Sequence, residues 1–218
     1  NVFNRKVNGN YISKGIDELK LVWNQASELP NLKKFLYAFG LYSLGVQTVM
    51  YLATIFGEDV VNMKMDELII LVLIIQLIAI PGAYFFSYLS LKKGNVNALL
   101  LSLLIWVGVC IAAFFIQEGM KTEYYIIGLF VGLIMGGVQS LSRSTYSKLI
   151  PENTKDHASF FSFYETLEKI SIALGTFVYV AVLQLTGKMN NSALVLGIFF
   201  VIGAIILKRV KMPSTKKD

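Results

Sequence analysis

Residues 68–117 read LIILVLIIQLIAIPGAYFFSYLSL, then Lys92-Lys93, then GNVNALLLSLLIWVGVCIAAFFIQ. Both flanking runs are free of Asp, Glu, Lys and Arg, and each is longer than the ~20 apolar residues that a helix needs to cross a bilayer. A two-residue basic break between such runs leaves room only for a tight reversal, so the pair forms an antiparallel hairpin of spanning helices. Strands are the wrong reading. The runs lack period-2 alternation and are about twice the length of a barrel strand.

Working outward, the same test selects residues 35–56, 124–142, 170–187 and 189–207, which makes six spans. Helical patterning carries the fourth span to about residue 146 and starts the fifth near Ser159. The expected organisation is a cytoplasmic linker with an amphipathic helix at 1–34, a six-helix bundle at 35–207, and a basic cytoplasmic tail at 208–218. Its spans are about 35–56, 68–91, 94–117, 124–146, 159–187 and 189–207. In the linker, Ile12, Ile16, Leu19 and Trp23 recur at helical spacing, as in a helix lying along the membrane surface, with a specific docking site as the alternative.

Composition agrees. Of 218 residues 55% are hydrophobic and 16% charged, and mean hydropathy is +0.60. Soluble domains run near 45–50% apolar and about 25% charged, so a soluble enzyme, a coiled coil and a disordered chain are excluded. A single cysteine, Cys110, rules out a disulfide framework and any Cys-based metal site, and the lone His157 leaves zinc without ligands. No phosphate cradle and no HExxH occur, so no metal and no cofactor are expected, and the spans carry no Ser/His or Asp pair for an intramembrane enzyme. With neither an initiator Met nor a signal-peptide pattern, Asn1 reads as the start of a fragment.

Orientation follows from the basic residues. Of the 20 lysines and arginines, only Lys64, Lys121 and Lys188 fall in alternate loops; the rest share the opposite side. The positive-inside rule puts both termini in the cytoplasm. The alternation also checks the span count, because one missed helix would scramble it. The sequence pI near 9.3 therefore reports topology and not nucleic-acid binding.

Polar residues inside spans face other helices or water. Ser43, Gln47, Tyr51 and Thr54 form one stripe on the first span, suited either to interhelical hydrogen bonds or to lining a solute cavity. The second span carries Gln76 and then Pro81, where a kink is expected. In the fourth, Gly128, Gly132, Gly136, Ser140 and Ser144 form a strip of small residues that admits another helix closely. Gln139 and Arg143 share a neighbouring face. Tyr164, Glu165, Glu168 and Lys169 precede the apolar run of the fifth span. Glu165 and Lys169 suit an intrahelical pair, or Arg143, Glu165, Glu168 and Lys169 line a cytoplasmic mouth and pair across helices when it closes. A carboxylate there can also carry a proton.

Residues 35–56 (FLYAFGLYSLGVQTVMYLATIF), 65–81 (MDELIILVLIIQLIAIP) and 132–175 (GLIMGGVQSLSRSTYSKLIPENTKDHASFFSFYETLEKISIALG) resemble a branch of the major facilitator superfamily. It contains the vacuole effluxer of autophagy and its bacterial relatives. The resemblance implies an all-α membrane fold in which these six helices are the C-terminal half of a twelve-helix permease, partnered by an N-terminal six-helix half. It implies alternating access without ATP and, from the bacterial members, residence in an inner (plasma) membrane. Carried over helix by helix, it selects Ser43, Gln47, Tyr51, Gln76 and Gln139, read as substrate cavity, and Arg143, Tyr164, Glu165 and Lys169, which join Glu168 from the residue pattern as the cytoplasmic gate. Gly128, Gly132, Gly136 and Ser140 remain packing residues. The chain departs from the pattern where Ser43-Leu44-Gly45 replaces Asn-Asp-Gly, and where the superfamily's loop motif has Ser87 for its Gly and Leu91 for its Asp.

The function expected is secondary transport, exporting small polar solutes such as amino acids, with protons as a coupling ion and the lipid bilayer as surroundings. A non-transporting structural or regulatory membrane protein that keeps the fold is the alternative. An ATP-driven exporter fails on the two-residue turn at Lys92-Lys93, since such helices extend well into the cytoplasm.

Overall fold

The structure, a computed structural model, describes residues 11–152, 154 and 156–213, with side chains from residue 15. Its elements are α1 (Tyr11–Ser27), α2 (Pro30–Asp59), α3 (Met65–Lys93), α4 (Asn95–Phe115), α5 (Lys121–Leu149), α6 (His157–Thr186) and α7 (Met189–Leu207). All regular secondary structure among the described residues is helical. Each of α2–α7 is long and apolar enough to cross a bilayer.

Local chemistry explains the helix ends. Pro30 opens α2, a first-turn position where a missing N–H costs nothing. α5 stops at Leu149, two residues before Pro151, which disfavours helical backbone in the residue ahead of it. Asp156 caps α6, its carboxylate accepting from the Ser159 amide at 3.1 Å. α3 continues as one helix through Pro81. Gly94 alone separates α3 from α4, and its φ of +83° is the backbone state that so short a reversal requires.

The packing has internal symmetry. α3 lies on α5, α2 on α7, α4 on α7, α2 on α6 and α4 on α5, with α6 on α7 and α3 on α4. Advancing every label by three within the six-helix set, so that α2–α4 exchange with α5–α7, maps these pairs onto one another. The bundle is thus two interleaved three-helix repeats. The exchange also relates two glycines. A Cβ on Gly82 of α3 would lie 2.1 Å from the Leu133 carbonyl oxygen of α5, and one on Gly175 of α6 would lie 2.4 Å from the Leu44 carbonyl oxygen of α2. In lipid the hydrophobic effect does not drive helices together, so close backbone approach of this kind carries the association.

Along the α3–α5 seam, Gly128 meets Leu71, Gly132 meets Ile75 and Gly136 meets Ala79, so the two helices run parallel. The missing Cβ of Gly136 would sit 2.1 Å from the Ala79 oxygen. Ser140 does not continue this seam. Phe86, fully buried, packs on Gly137 and fills the space between the helices, leaving Ser140 exposed beside a polar pocket. At the other end of the seam Lys121 Nζ donates to both Glu67 carboxylate oxygens at 2.8 and 2.7 Å. Behind it, Trp106 of α4 stacks on Phe200 of α7 at 5.3 Å, and Phe200 fills the place of a Gly45 side chain.

The linker helix docks by a face shifted from the one its periodicity marks, keeping Trp23 and a half-buried Leu19 while adding Val22 and Ala26. Val22 and Ala26 are buried and Trp23 half-buried, whereas Ile16 is 46% exposed and the Ile12 side chain lies outside the described residues. Trp23 stacks on Phe163 of α6 at 6.0 Å and meets Tyr37 of α2 edge-on at 5.6 Å. α1 is therefore seated on the ends of α2 and α6, where aromatic partners from two helices outweigh one more aliphatic contact.

Candidate functional site

At the lysine-rich end of the bundle, Gln139, Ser140 and Arg143 of α5 and Tyr164 and Glu168 of α6 line a pocket of about 370 Å³. α2 reaches it through Gln47, whose Nε2 donates to Glu168 Oε1 at 2.5 Å. Arg143 Nη2 lies 3.2 Å from Glu165 Oε1, so α5 and α6 are also joined by an ion pair across the opening. Both members of that pair are 58% exposed. The lining offers the Arg143 guanidinium, the Glu168 carboxylate, the Gln139 amide and the Ser140 and Tyr164 hydroxyls, with Gln47 and Glu165 bonded to it, groups suited to a small solute bearing opposite charges.

Aromatic packing holds these groups in place. Tyr164 stacks on Phe39 at 4.1 Å and lies 5.0 Å from Tyr146, which is fully buried. Tyr146 Oη donates to the Phe160 carbonyl at 2.7 Å and fixes the start of α6 against α5. Beneath them Tyr42 Oη and Ser142 Oγ share a buried hydrogen bond of 2.7 Å that ties α2 to α5. On the water side, the Ser159 hydroxyl contacts both Asp156 and Glu18 of α1. Hydrogen bonds from the Ser159 hydroxyl and then its amide hold the Asp156 carboxyl below the usual aspartate range.

The structure brings together Gln47, Gln139, Arg143, Tyr164, Glu165 and Glu168. Ser43 does not join them: it is buried, 3% exposed, and outside the pocket lining. Tyr51, 61% exposed, lies a full turn beyond Gln47 toward the other end of α2, and Gln76 is exposed on α3 outside the pocket lining. Lys169 is exposed and, among the described residues, forms no ion pair. Its expected intrahelical partner Glu165 turns instead to Arg143. Tyr42, Ser142, Phe39 and Tyr146, which support the pocket, carried no sequence signal beyond ordinary apolar or small-residue patterning.

A bundle of six apolar helices in two interleaved triplets, with a polar pocket opening at one end, is a multi-pass membrane protein of the major facilitator type. The chain belongs to the vacuole effluxer Atg22-like family, whose profile matches residues 3–218. It is 32% identical over 174 residues to an uncharacterized MFS-type transporter, YxiO, of Bacillus subtilis, covering 79% of this chain and 39% of the relative. It is similar to autophagy-related protein 22 of Yarrowia lipolytica (24% identity, 98% of this chain, 38% of the relative). The same protein of Saccharomyces cerevisiae matches at 26% identity, over 88% of this chain and 37% of the relative. The chain thus spans about two fifths of the length of these curated relatives.

Proposed function

We propose that these helices are the C-terminal half of a secondary transporter that exports small polar solutes, such as amino acids, by rocking against an N-terminal six-helix half. The observation that supports it most is the pocket at which α2, α5 and α6 meet, with Gln47 bonded to Glu168 beside the Arg143–Glu165 pair. α3 and α6 are the least buried spans. They expose Leu77, Ile80, Phe177 and Leu185, and an N-terminal half is the cover we assign to them. An exposed pair is worth only about 0–1 kcal/mol, which suits a gate that must open every cycle.

Arg143 then holds the opening through Glu165 and, when it opens, attracts an anionic group of the solute. Glu168 is the carboxylate we assign to proton coupling, because its bond with Gln47 joins α6 to α2 across the pocket. Both termini face the cytoplasm in this reading. The test is solute counterflow by the whole permease in proteoliposomes. Arg143→Ala and Glu165→Gln each change the rate by up to about fivefold, the equivalent of one ~1 kcal/mol pair, and Glu168→Gln abolishes proton-driven flux while leaving counterflow. Wild-type behaviour in all three variants removes the gate.

A further inference from the structure

Apart from the solute pocket, the lysine-rich end carries a second concavity, between the start of α4 and the end of α7. Lys93, Asn95, Asn97 and Lys208 form its rim and Leu100 and Val210 its apolar wall, around a volume of about 280 Å³. Lys148 of α5 reaches the inner edge, donating to Asn95 Oδ1 at 3.1 Å. Arg209 and Lys211 follow in sequence, outside the lining.

Among the described residues these cations form no ion pair. Residues 68–117 and 169–217 contain no Asp or Glu at all, and among the described residues the only ion pairs are Lys121–Glu67 and Arg143–Glu165. The nearest acid along α5, Glu152, lies past the helix end and outside the lining. The start of α4 meets the ends of α3 and α7 here, so the helix-end dipoles oppose one another and the lysine side chains set the sign of the charge. Apolar exposure begins immediately below, on Leu101, Leu104 and Ile205. Ammonium groups therefore sit where a lipid's phosphate lies, and greasy helix surface sits where its acyl chains lie.

The geometry points to a binding site for an anionic phospholipid of the leaflet at this end, its phosphate held between Lys93 and Lys208 and its chains along α4 and α7. Basic pockets between helices at a membrane interface are suited to such headgroups, whereas a zwitterionic lipid brings its own cation and gains little. The site requires only that the bundle lie in a bilayer, and it is independent of the transport reading.

Purified protein in mixed micelles is examined by native mass spectrometry with phosphatidylglycerol, phosphatidylcholine or soluble glycerol phosphate. Phosphatidylglycerol is retained preferentially, and Lys93→Gln/Lys208→Gln weakens its retention on the order of tenfold, as expected for two interfacial cations. Lys93→Arg/Lys208→Arg keeps it, and Lys64→Gln/Lys188→Gln, at the opposite end, does not alter it. Equal retention of the two lipids, unchanged retention in Lys93→Gln/Lys208→Gln, or equal binding of glycerol phosphate overturns the assignment. Counterflow is measured on the same variants. Loss of lipid with counterflow intact separates this site from the solute pocket.

Discussion

Tyr42 and Ser142 are each unremarkable in sequence, yet their hydroxyls share a buried hydrogen bond between helices. Removing one partner strands the other, at a cost of about 1–3 kcal/mol, while removing both is close to neutral. Tyr42→Phe should therefore lower thermal stability in detergent more than Tyr42→Phe combined with Ser142→Ala, and equal losses would deny the bond its role. Glycines give a second contrast at this scale. Gly136→Ala drives a methyl to 2.1 Å from a carbonyl oxygen, and overpacking of that kind costs about 1–3 kcal/mol. Gly108→Ala meets nothing within 4 Å and should be harmless or stabilise by up to about 1 kcal/mol through helix propensity. The strip Gly128, Gly132, Gly136 was legible because its spacing is regular. Gly82 and Gly175 make equally close contacts and were not, since a single glycine says nothing about which carbonyl will approach it.

At the scale of elements, α1 and the start of α6 behave as one unit. Trp23→Ala removes the stack on Phe163 and the edge contact with Tyr37, so limited proteolysis near residues 28–30 should accelerate severalfold while the bundle stays folded. Unchanged cleavage would mean that α1 is held by other contacts. The cap of α6 brings a pH dependence. The Asp156 carboxyl is depressed in the folded state, so its stabilisation is fully present above the ordinary aspartate value of about 3.9. It fades as pH falls through the lower folded value. Asp156→Asn should flatten the acid limb of stability against pH, because it forfeits near neutrality the stabilisation that the wild type loses only in acid. The helical repeat in α1 was plain in its sequence; the docking face was not. Two neighbouring helices present aromatic rings on one side only, and they, not the count of apolar residues, chose Val22, Trp23 and Ala26.

For the whole molecule, the orientation of the bundle is open to a direct check. Cys110 is buried, so background labelling is low. Cysteines placed at Lys64, Lys121 or Lys188 should react with an impermeant reagent added outside intact cells, and those at Lys92 or Lys208 only after permeabilisation. The reverse pattern overturns the assignment of both termini to the cytoplasm. The exchange of α2–α4 with α5–α7 also belongs to this scale. No repeated motif announces it, because two triplets need only similar shapes and not similar residues.

Hydropathy and charge are properties of single segments, so six helices, their tight turns and their alternating polarity followed from the chain alone. Bilayer thickness and the positive-inside bias act on each run independently of its neighbours. Which polar residue meets open space depends on how helices rotate against one another. Ser43 and Gln47 are one turn apart on the same stripe, yet the first is buried away from the pocket and the second reaches Glu168. Only packing among all six helices decides such a difference, since contacts worth a few kcal/mol in total set each rotation and none of them is local in sequence.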